Sequence, residues 1–511
     1  MLHLNIEGLK ILKPDSVNAR NRTVMLIVAL AFMVINTIIV ILVCNTKFIS
    51  EYDKIIWNTK MVLITNGICF GGFFLALKFL KSLTVKKLFL MFLIIRLVIL
   101  YFFIVFNYGV QNIDFGFYSS IPPRILNGEI FTPYTGLWEY DTWRLYPPMF
   151  IWWYTYNYLI YGLNETLWRF VNLLLEVGIV YVMIQIFHEN SATEKGWTTE
   201  NFKIGLSFYI FALTPIVAIL LYANMIAFPV LLALLGFLYF FRSKRNPKYL
   251  YYAVFFLCLV FLTEGFAAFW MLGILFIELL KKNFRRLFLL AAEILALSFL
   301  FTLPFLINDA IGYVQKILAN THLMTSVNWD GTIWAINWKV FSVNFIPVLF
   351  AFILTLYYIY KSYRFEISLD FFIVITSIFL FFSPAFSPWH YLWLFPLICL
   401  NLIYSFRKFL ISNLFFVGYF VLFVIWFATA YLSYSGMIFP DVWATYVQIF
   451  SWMSPAGYFA ALPLIIQIVF QMGFIFLIFS YTKSKTLILA LLIAFSIGYI
   501  LNICNPGNLI Y

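Results

Sequence analysis

Charged side chains are scarce in this sequence: they make up 11% of its 511 residues, whereas hydrophobic residues make up 64%. A soluble protein cannot bury so large an apolar fraction. Apolar runs of about 20 residues, the length that crosses a hydrocarbon core of about 30 Å, recur along the chain. The composition therefore excludes a soluble globular protein and predicts a polytopic helical membrane protein.

Cysteine is also rare, with five residues placed in or beside hydrophobic runs. Their spacing fits neither a disulfide framework nor a metal site, so they are interpreted as small apolar fillers. The first 23 residues are polar and basic, which favours a retained anchor at 24–44 over a cleaved signal peptide. The net charge of +12 does not indicate nucleic-acid binding, because its placement follows membrane topology.

The hydrophobic runs predict an all-α membrane protein with about fifteen transmembrane helices. These runs lie at 24–44, 61–80, 88–108, 166–187, 204–222, 225–241, 249–263, 265–280, 287–306, 341–360, 367–384, 389–406, 409–430, 458–481 and 486–505. One further aromatic segment, 146–162, is short enough to be either a span or an interfacial helix.

The positive-inside rule decides this case. If 146–162 does not span, the strongly basic short loops share one side of the membrane, including "RSKRNPK" at 242–248 and "KKNFRR" at 281–286. If it does span, these two clusters move outside. We therefore expect 146–162 to form an amphipathic helix at the outer interface. Trp138, Trp143, Trp152 and Trp153 would then lie near the headgroups.

This topology places the N-terminus of a multi-pass membrane protein in the cytoplasm and makes 109–165 and 307–340 the large outer loops. The abundance of Ile, Phe, Tyr, Asn and Lys suggests an AT-rich bacterial or archaeal genome, which would place the protein in the plasma membrane. Three segments follow: 1–87 with a cytoplasmic tail and two accessory spans, 88–400 as the membrane core, and 401–511 as C-terminal accessory spans. The outer loops hold most of the non-cytoplasmic acids. Chemistry is therefore expected on the outer face.

Asp114 opens the first large loop, a few residues after a predicted span. The following "SSIPPRILNG" predicts a short helix, with Pro123 in its first turn and Gly128 at its C-terminal cap. Ile121, Ile125 and Leu126 would face the membrane. A carboxylate held at this boundary can act as a general base toward a hydroxyl, although an ordinary solvated loop acid would have the same sequence.

A pattern in this loop resembles the GT-C superfamily of integral-membrane glycosyltransferases, which use polyprenyl-phosphate sugars. It comprises Asp114, Tyr118, Gly128 and Tyr134 at fixed spacing, followed by "YPPMFIWW". The closest likeness is to mannosyltransferases of the GPI type and their bacterial and archaeal relatives. "LWRFVNLLLEVGIVYVMI" at 167–184, the segment 303–338 and "SPAFSPWHYLWLFPL" at 383–397 resemble later parts of the family, so the likeness covers roughly 88–400.

The resemblance implies an outer cavity in which Asp114 deprotonates the acceptor. It implies transfer of one sugar, mannose being favoured, from a polyprenyl-phosphate donor to a lipid-linked glycan or glycolipid among the membrane lipids, with no cofactor. The leaving phosphate needs cationic or hydrogen-bonding groups. Candidate donor- and substrate-binding residues are Tyr118, Arg124, Tyr134, Asp141, Arg144, Lys316, His322, His390 and Tyr391. Arg144 could equally be an interfacial anchor, and an isolated histidine a structural residue.

Glu139 and Asp141 raise a metal alternative, since two carboxylates two residues apart can share a divalent cation. The same triplet recurs at 51–53, however, and no metal is predicted. Asn224 and Glu264 depart from the family pattern and leave a non-catalytic scaffold open. A transporter or flippase is the alternative from another class, although such proteins usually show repeated halves.

Arg96 lies in the middle of the apolar run "LFLMFLIIRLVIL". A cation at that depth is costly and indicates an internal cavity or an acidic partner. Glu176 in the next predicted span is the candidate partner. Such a pair could belong to a site or could simply fix helix packing.

Overall fold

Helices account for the regular secondary structure of the described part of the chain. The computed structural model describes residues 71–105, 122–128, 148–162, 164–191, 198–212, 215–221, 226–263, 268–326, 345–363, 368–382, 392–401, 461–482 and 484–504. The main helices are α1 (Val85–Val105), α2 (Pro148–Tyr161), α3 (Glu165–Ser191), α4 (Thr199–Phe211), α5 (Ala227–Arg242), α6 (Tyr249–Phe261), α7 (Ala268–Leu280), α8 (Phe284–Ser326), α9 (Phe345–Ser362), α10 (Leu369–Phe382), α11 (Phe395–Asn401), α12 (Ala461–Thr482) and α13 (Lys485–Cys504). The all-α prediction is confirmed for these residues.

The helices follow the predicted apolar runs because long stretches of Leu, Ile and Phe satisfy their backbone groups internally only as helices. Among the described residues, two helical segments, Thr166–Ser191 and Phe284–Asn308, are long and apolar enough to cross a membrane. Both match predicted spans, at 166–187 and 287–306. The predicted spans at 24–44 and 409–430 lie outside the described residues.

Helix α8 extends beyond the span predicted at 287–306. It continues without interruption to Ser326, into the segment expected to form the second outer loop. Pro304 lies inside this helix and does not end it. Proline removes one backbone donor and bends a helix, and neighbouring helices can supply the missing hydrogen bonds. The segment 307–326 is therefore helical.

The core forms around α3, which packs against α1, α2, α5 and α11. A second row continues through α5, α6, α7 and α8. Helices α9 and α10 pack against α7, and α12 packs against α10. Two glycines lie at close helix crossings. A Cβ atom at Gly178 would lie 2.9 Å from Leu231, and one at Gly236 would lie 2.8 Å from Leu257. Small residues at such crossings are typical of membrane helices.

The polarity of this bundle is the reverse of that in a soluble protein. Large apolar side chains face outward along α8, where Phe288, Leu295, Ile307 and Ile311 are each at least 70% exposed. Polar side chains, among them Arg96, Asn172, Glu176, Ser207 and Ser377, are buried. Soluble monomers rarely expose contiguous apolar surface of this extent. The surface therefore suits contact with lipid.

The helix ends sort into two groups. At one end, called the basic end here, Lys203 Nζ donates to the Leu80 carbonyl at 3.2 Å and Glu189 pairs with Arg245 at 3.1 Å. At the opposite end of α3 and α5, called the aromatic end, α2 packs on α3 and α8. There the Met149 amide donates to the Leu262 carbonyl at 3.0 Å. The 27 residues of α3 separate the two ends.

The short helix predicted after Asp114 is present at 122–126. Gly128 closes it with φ of +84°, a conformation that favours glycine, and its amide donates to the Ile125 carbonyl at 3.0 Å. Leu126 is exposed as expected, but Ile125 is buried. The expectation that Ile125 faces the membrane is therefore wrong, because its side chain packs inward.

Helix α2 occupies the segment expected to be an amphipathic helix, but its polarity differs. Its buried face includes Thr155 and Asn157, whereas Tyr156, Leu159 and Ile160 are at least 60% exposed. An interfacial helix was expected to turn a polar face outward. Here the polar side chains bond to carbonyls four residues earlier within α2, so its outward face is apolar.

Candidate functional site

A row of polar side chains runs along one buried face of α3. Arg169, Asn172 and Glu176 are spaced by three and four residues, which puts them on one side of a helix. They are 5%, 1% and 0% exposed. The row starts near the aromatic end and extends into the bundle, facing α1 and the segment that follows α4.

The inner end of the row is an ion pair between Arg96 on α1 and Glu176 on α3. Arg96 Nη2 donates to Glu176 Oε1 at 2.8 Å, and Nε donates to Oε2 at 3.0 Å. Arg96 Nη1 donates to the Ile210 carbonyl at 2.8 Å, and the guanidinium lies 5.1 Å from the centre of the Phe92 ring. The predicted partnership is confirmed. It joins α1, α3 and α4 at one point.

The chain that follows α4 departs from α-helical geometry. Helix α4 ends at Phe211, and residues Ile216–Leu221 form a π-helix turn. Such turns occur often at functional sites. Arg169 Nε donates to the Leu220 carbonyl at 3.0 Å, and Asn172 Nδ2 donates to the Ile219 carbonyl at 3.3 Å. The polar row therefore fixes a non-standard backbone segment by binding its carbonyls.

Tyr209 lies one residue before the carbonyl that Arg96 binds. Its side chain is 0% exposed, and its hydroxyl has no hydrogen-bond partner among the described residues. Its ring packs against Phe395 with centres 5.6 Å apart. Buried hydroxyl groups ordinarily have a hydrogen-bond partner. The Tyr209 hydroxyl is therefore a further polar group at the inner end of the row, in addition to the Arg96–Glu176 pair.

Aromatic side chains of α2 lie at the outer end of this row. Trp152 Nε1 donates to the Phe301 carbonyl on α8 at 3.3 Å, and the Trp152 and Phe305 rings lie 6.0 Å apart. Trp153 stacks on Phe228 of α5 at 4.0 Å with an angle of 7°. Helix α2 thus ties the first large predicted outer loop to the start of the second.

The predicted site residues fall into three groups. Arg124 is half-buried on the short helix at 122–126. Lys316 and His322 both lie on the C-terminal part of α8. The remaining candidates lie outside the described residues: Asp114, Tyr118, Tyr134, Asp141, Arg144, His390 and Tyr391. Asn224 and Glu264 also lie outside them.

Metal ligation finds no support in the described part of the chain, where no group of three His, Cys, Asp or Glu side chains could hold an ion. The arrangement that is present serves hydrogen bonding and charge pairing. Sequence reasoning did not single out Arg169, Asn172 or Tyr209. The signal for the first two was available, since polar residues at helical spacing within an apolar run mark an internal face.

Comparison with known proteins yields no relative: no family model matches the chain, and no curated protein or solved structure is similar to it at a significant level.

Proposed function

We propose that this protein is a polytopic glycosyltransferase of the plasma membrane. It would cross the membrane about fifteen times, with the N-terminus in the cytoplasm and the active site on the outer face. Its reaction would transfer one sugar, mannose being favoured, from a polyprenyl-phosphate donor to a lipid-linked glycan or glycolipid. The proposal rests on the sequence pattern of the loops and on the way the described helices bring their flanking segments together.

The sorting of helix ends supports this topology. Basic loops that the positive-inside rule assigns to the cytoplasm meet at the basic end, where Glu189 contacts the loop 242–248 and Lys203 contacts Leu80. Trp152 and Trp153, which are assigned to the outer interface, lie at the other end. Tryptophan is enriched at membrane interfaces. The basic and the aromatic residues thus both agree with an orientation in which the basic end faces the cytoplasm.

The observation that carries the proposal is the contact between Trp152 and the Phe301 carbonyl. Trp152 follows the loop that contains Asp114 and Arg144, and Phe301 precedes the helical segment that bears Lys316 and His322. Because one hydrogen bond ties the two segments at the aromatic end, the proposed base and the proposed phosphate-binding cations would emerge from the same end of the bundle.

Each proposed residue has a role in an inverting transfer. Asp114 would take the proton of the acceptor hydroxyl as that oxygen forms the new glycosidic bond. The donor's bond to its phosphate oxygen would break, and cationic groups would stabilise the leaving phosphate. Those groups are Arg124, Arg144, Lys316, His322 and His390. Tyr118, Tyr134, Asp141 and Tyr391 would line the sugar and donor positions.

The buried polar row has a supporting role in this proposal. Arg96, Glu176 and Asn172 bond to one another or to backbone carbonyls. They hold α1, α3 and the π-helix turn in register beneath the aromatic end. A rigid base of this kind keeps the loops above it at a constant spacing, which a transfer reaction between two bound lipids requires.

The test is a transfer assay with purified protein in detergent, radiolabelled polyprenyl-phosphate mannose and total membrane lipid extract. Wild type should move label to a new lipid or glycan, and Asp114→Asn should lower the rate at least a hundredfold. Asp53→Asn is the matched control, since Asp53 lies between the predicted spans 24–44 and 61–80, on the same proposed outer side. Retained activity in Asp114→Asn would refute the base assignment. Absence of transfer with mannose, glucose and arabinose donors would refute the enzyme.

A transporter is the second candidate, and one observation favours it. Helix α4 is separated from the π-helix turn at Ile216–Leu221, and a buried Arg96–Glu176 pair lies beside the break. Discontinuous helices with nearby charges are typical of transporter binding sites. Gradient-driven uptake of a solute or lipid into proteoliposomes, without any covalent transfer, would favour this candidate over the enzyme.

A further inference from the structure

Beside the starts of α6 and α8, four exposed cationic side chains form no ion pair among the described residues: Lys248, Lys281, Lys282 and Arg285. Three neighbouring arginines are paired with carboxylates. Arg242 and Arg245 both contact Glu189, at 3.6 and 3.1 Å, and Arg286 contacts Glu278 at 3.3 Å. The four remaining cations therefore present a net positive surface.

Two loops that are far apart in sequence contribute to this surface at the same level. Lys248 directly precedes α6, and Arg285 lies in the first turn of α8. The two helices pack together, with Cys258 Sγ 3.9 Å from the Ile294 carbonyl oxygen. Lys248 lies about 15 Å before Cys258, and Arg285 lies about 13.5 Å before Ile294. The cations thus flank the start of one parallel helix pair.

Exposed apolar side chains lie directly beside these cations. Phe284 and Phe288 on α8 are 62% and 73% exposed, and Tyr252 on α6 is 54% exposed. A soluble anion would bind the cations alone and would leave these aromatic rings uncovered. An amphiphile with an anionic head and acyl chains complements both parts, because the charges meet the head and the rings meet the chains.

We propose that the starts of α6 and α8 form a binding site for an anionic phospholipid of the cytoplasmic leaflet. Lys248, Lys281, Lys282 and Arg285 bind the headgroup, and Phe284, Phe288 and Tyr252 contact its acyl chains. The proposal rests on the membrane orientation given above and not on sugar transfer. It therefore stands or falls independently of the proposed enzyme.

The experiment measures lipid binding by the full-length protein in neutral detergent. Native mass spectrometry and thermal unfolding are recorded with added phosphatidylglycerol, phosphatidylcholine or inorganic phosphate. We expect bound phosphatidylglycerol and a rise in the unfolding midpoint that phosphatidylcholine does not produce. In the triple variant Lys248→Gln, Lys281→Gln, Arg285→Gln the apparent affinity should fall at least tenfold, since each basic residue contributes separately. The triple variant keeps the pairs of Glu189 and Glu278.

The matched control is Lys81→Gln, Lys86→Gln, Lys87→Gln, which removes three exposed lysines just before and in the first turn of α1, at the same end of the bundle. It should bind phosphatidylglycerol as wild type does. Equal losses in both triple variants would overturn the site, because charge alone would then explain binding. Equal binding of inorganic phosphate, or no selective binding of phosphatidylglycerol, would also overturn it. Arg285→Gln alone repeats the measurement if the triple variant does not fold.

Discussion

Arg96 Nε and Nη2 donate hydrogen bonds to the two carboxylate oxygens of Glu176, 80 residues away in the sequence, and both side chains are fully buried. Each charge neutralises the other where water is excluded. A buried pair of this kind is sensitive to removal of one partner, because the other charge is left uncompensated. The same pair contributes little when compared with two well-packed apolar residues.

Removal of one partner should therefore be far more damaging than removal of both. Glu176→Gln is expected to destabilise the protein by about 3–5 kcal/mol and to lower the midpoint of thermal unfolding in detergent. Arg96→Met combined with Glu176→Leu should recover most of that loss. If the double variant is as unstable as Glu176→Gln, the pair has a role beyond charge compensation.

Gly236 permits the close packing of α5 and α6. Gly236→Ala should destabilise the bundle by about 1–3 kcal/mol, the usual effect of overpacking, because its Cβ would lie 2.8 Å from Leu257. Adding Leu257→Ala removes the obstructing atoms, so the double variant should lose less stability than the sum of its two parts. Gly71→Ala is the control, since a Cβ there meets nothing within 4 Å.

Trp152 and Trp153 offer a matched comparison within one helix. Trp152→Phe removes the donor to the Phe301 carbonyl and should cost about 1 kcal/mol. Trp153→Phe should cost less, because its indole nitrogen is buried without a partner in the described residues and its stacking on Phe228 can persist. Thermal unfolding of both variants checks this order. Equal losses would mean that ring volume, rather than the hydrogen bond, matters.

Glu293 and Glu278 should respond oppositely to neutralisation. Glu293 Oε2 is buried on α8 without a hydrogen-bond partner in the described part of the chain, so Glu293→Gln should leave stability unchanged or higher. Glu278 accepts from Asn283 at 2.9 Å and pairs with Arg286, so Glu278→Gln should cost about 1 kcal/mol. A marked loss in Glu293→Gln would indicate that its carboxylate is needed.

The proposed orientation can be checked by cysteine labelling in intact cells. In a background without the native cysteines, Asn127→Cys should react with a membrane-impermeant maleimide, since Asn127 is exposed in the turn after the short helix of the proposed outer loop. Lys281→Cys at the basic end should react only after the membrane is permeabilised. The reverse pattern would contradict the assignment of the basic loops to the cytoplasm.

Much of the fold follows from local features of the sequence. The apolar runs predicted where α3, α5, α6 and α10 lie, and the Pro-Pro and glycine signals predicted the turn of helix closed by Gly128. Arg96 and Glu176 were matched from their depth alone, because a charge inside an apolar helix requires a partner. Local patterns predicted the end of the span at 306 but did not show that α8 continues as a helix to Ser326.

The candidate site was less accessible to sequence reasoning. Arg169 and Asn172 bind carbonyls of the π-helix turn at Ile216–Leu221. No residue pattern in the sequence predicts that turn. The outward apolar face of α2 also escaped prediction, since its polar residues bond within their own helix and need no contact with water.

The sequence by itself determined the helical class, the positions of the apolar segments and the need to pair Arg96, because hydropathy and charge are properties of short stretches of chain. Tertiary structure alone decided that Trp152 reaches Phe301 across 149 residues. It likewise decided that two distant basic loops flank one helix pair. Those relationships depend on how helices cross and on which side chains meet at the crossing, and packing sets both only after the segments have assembled.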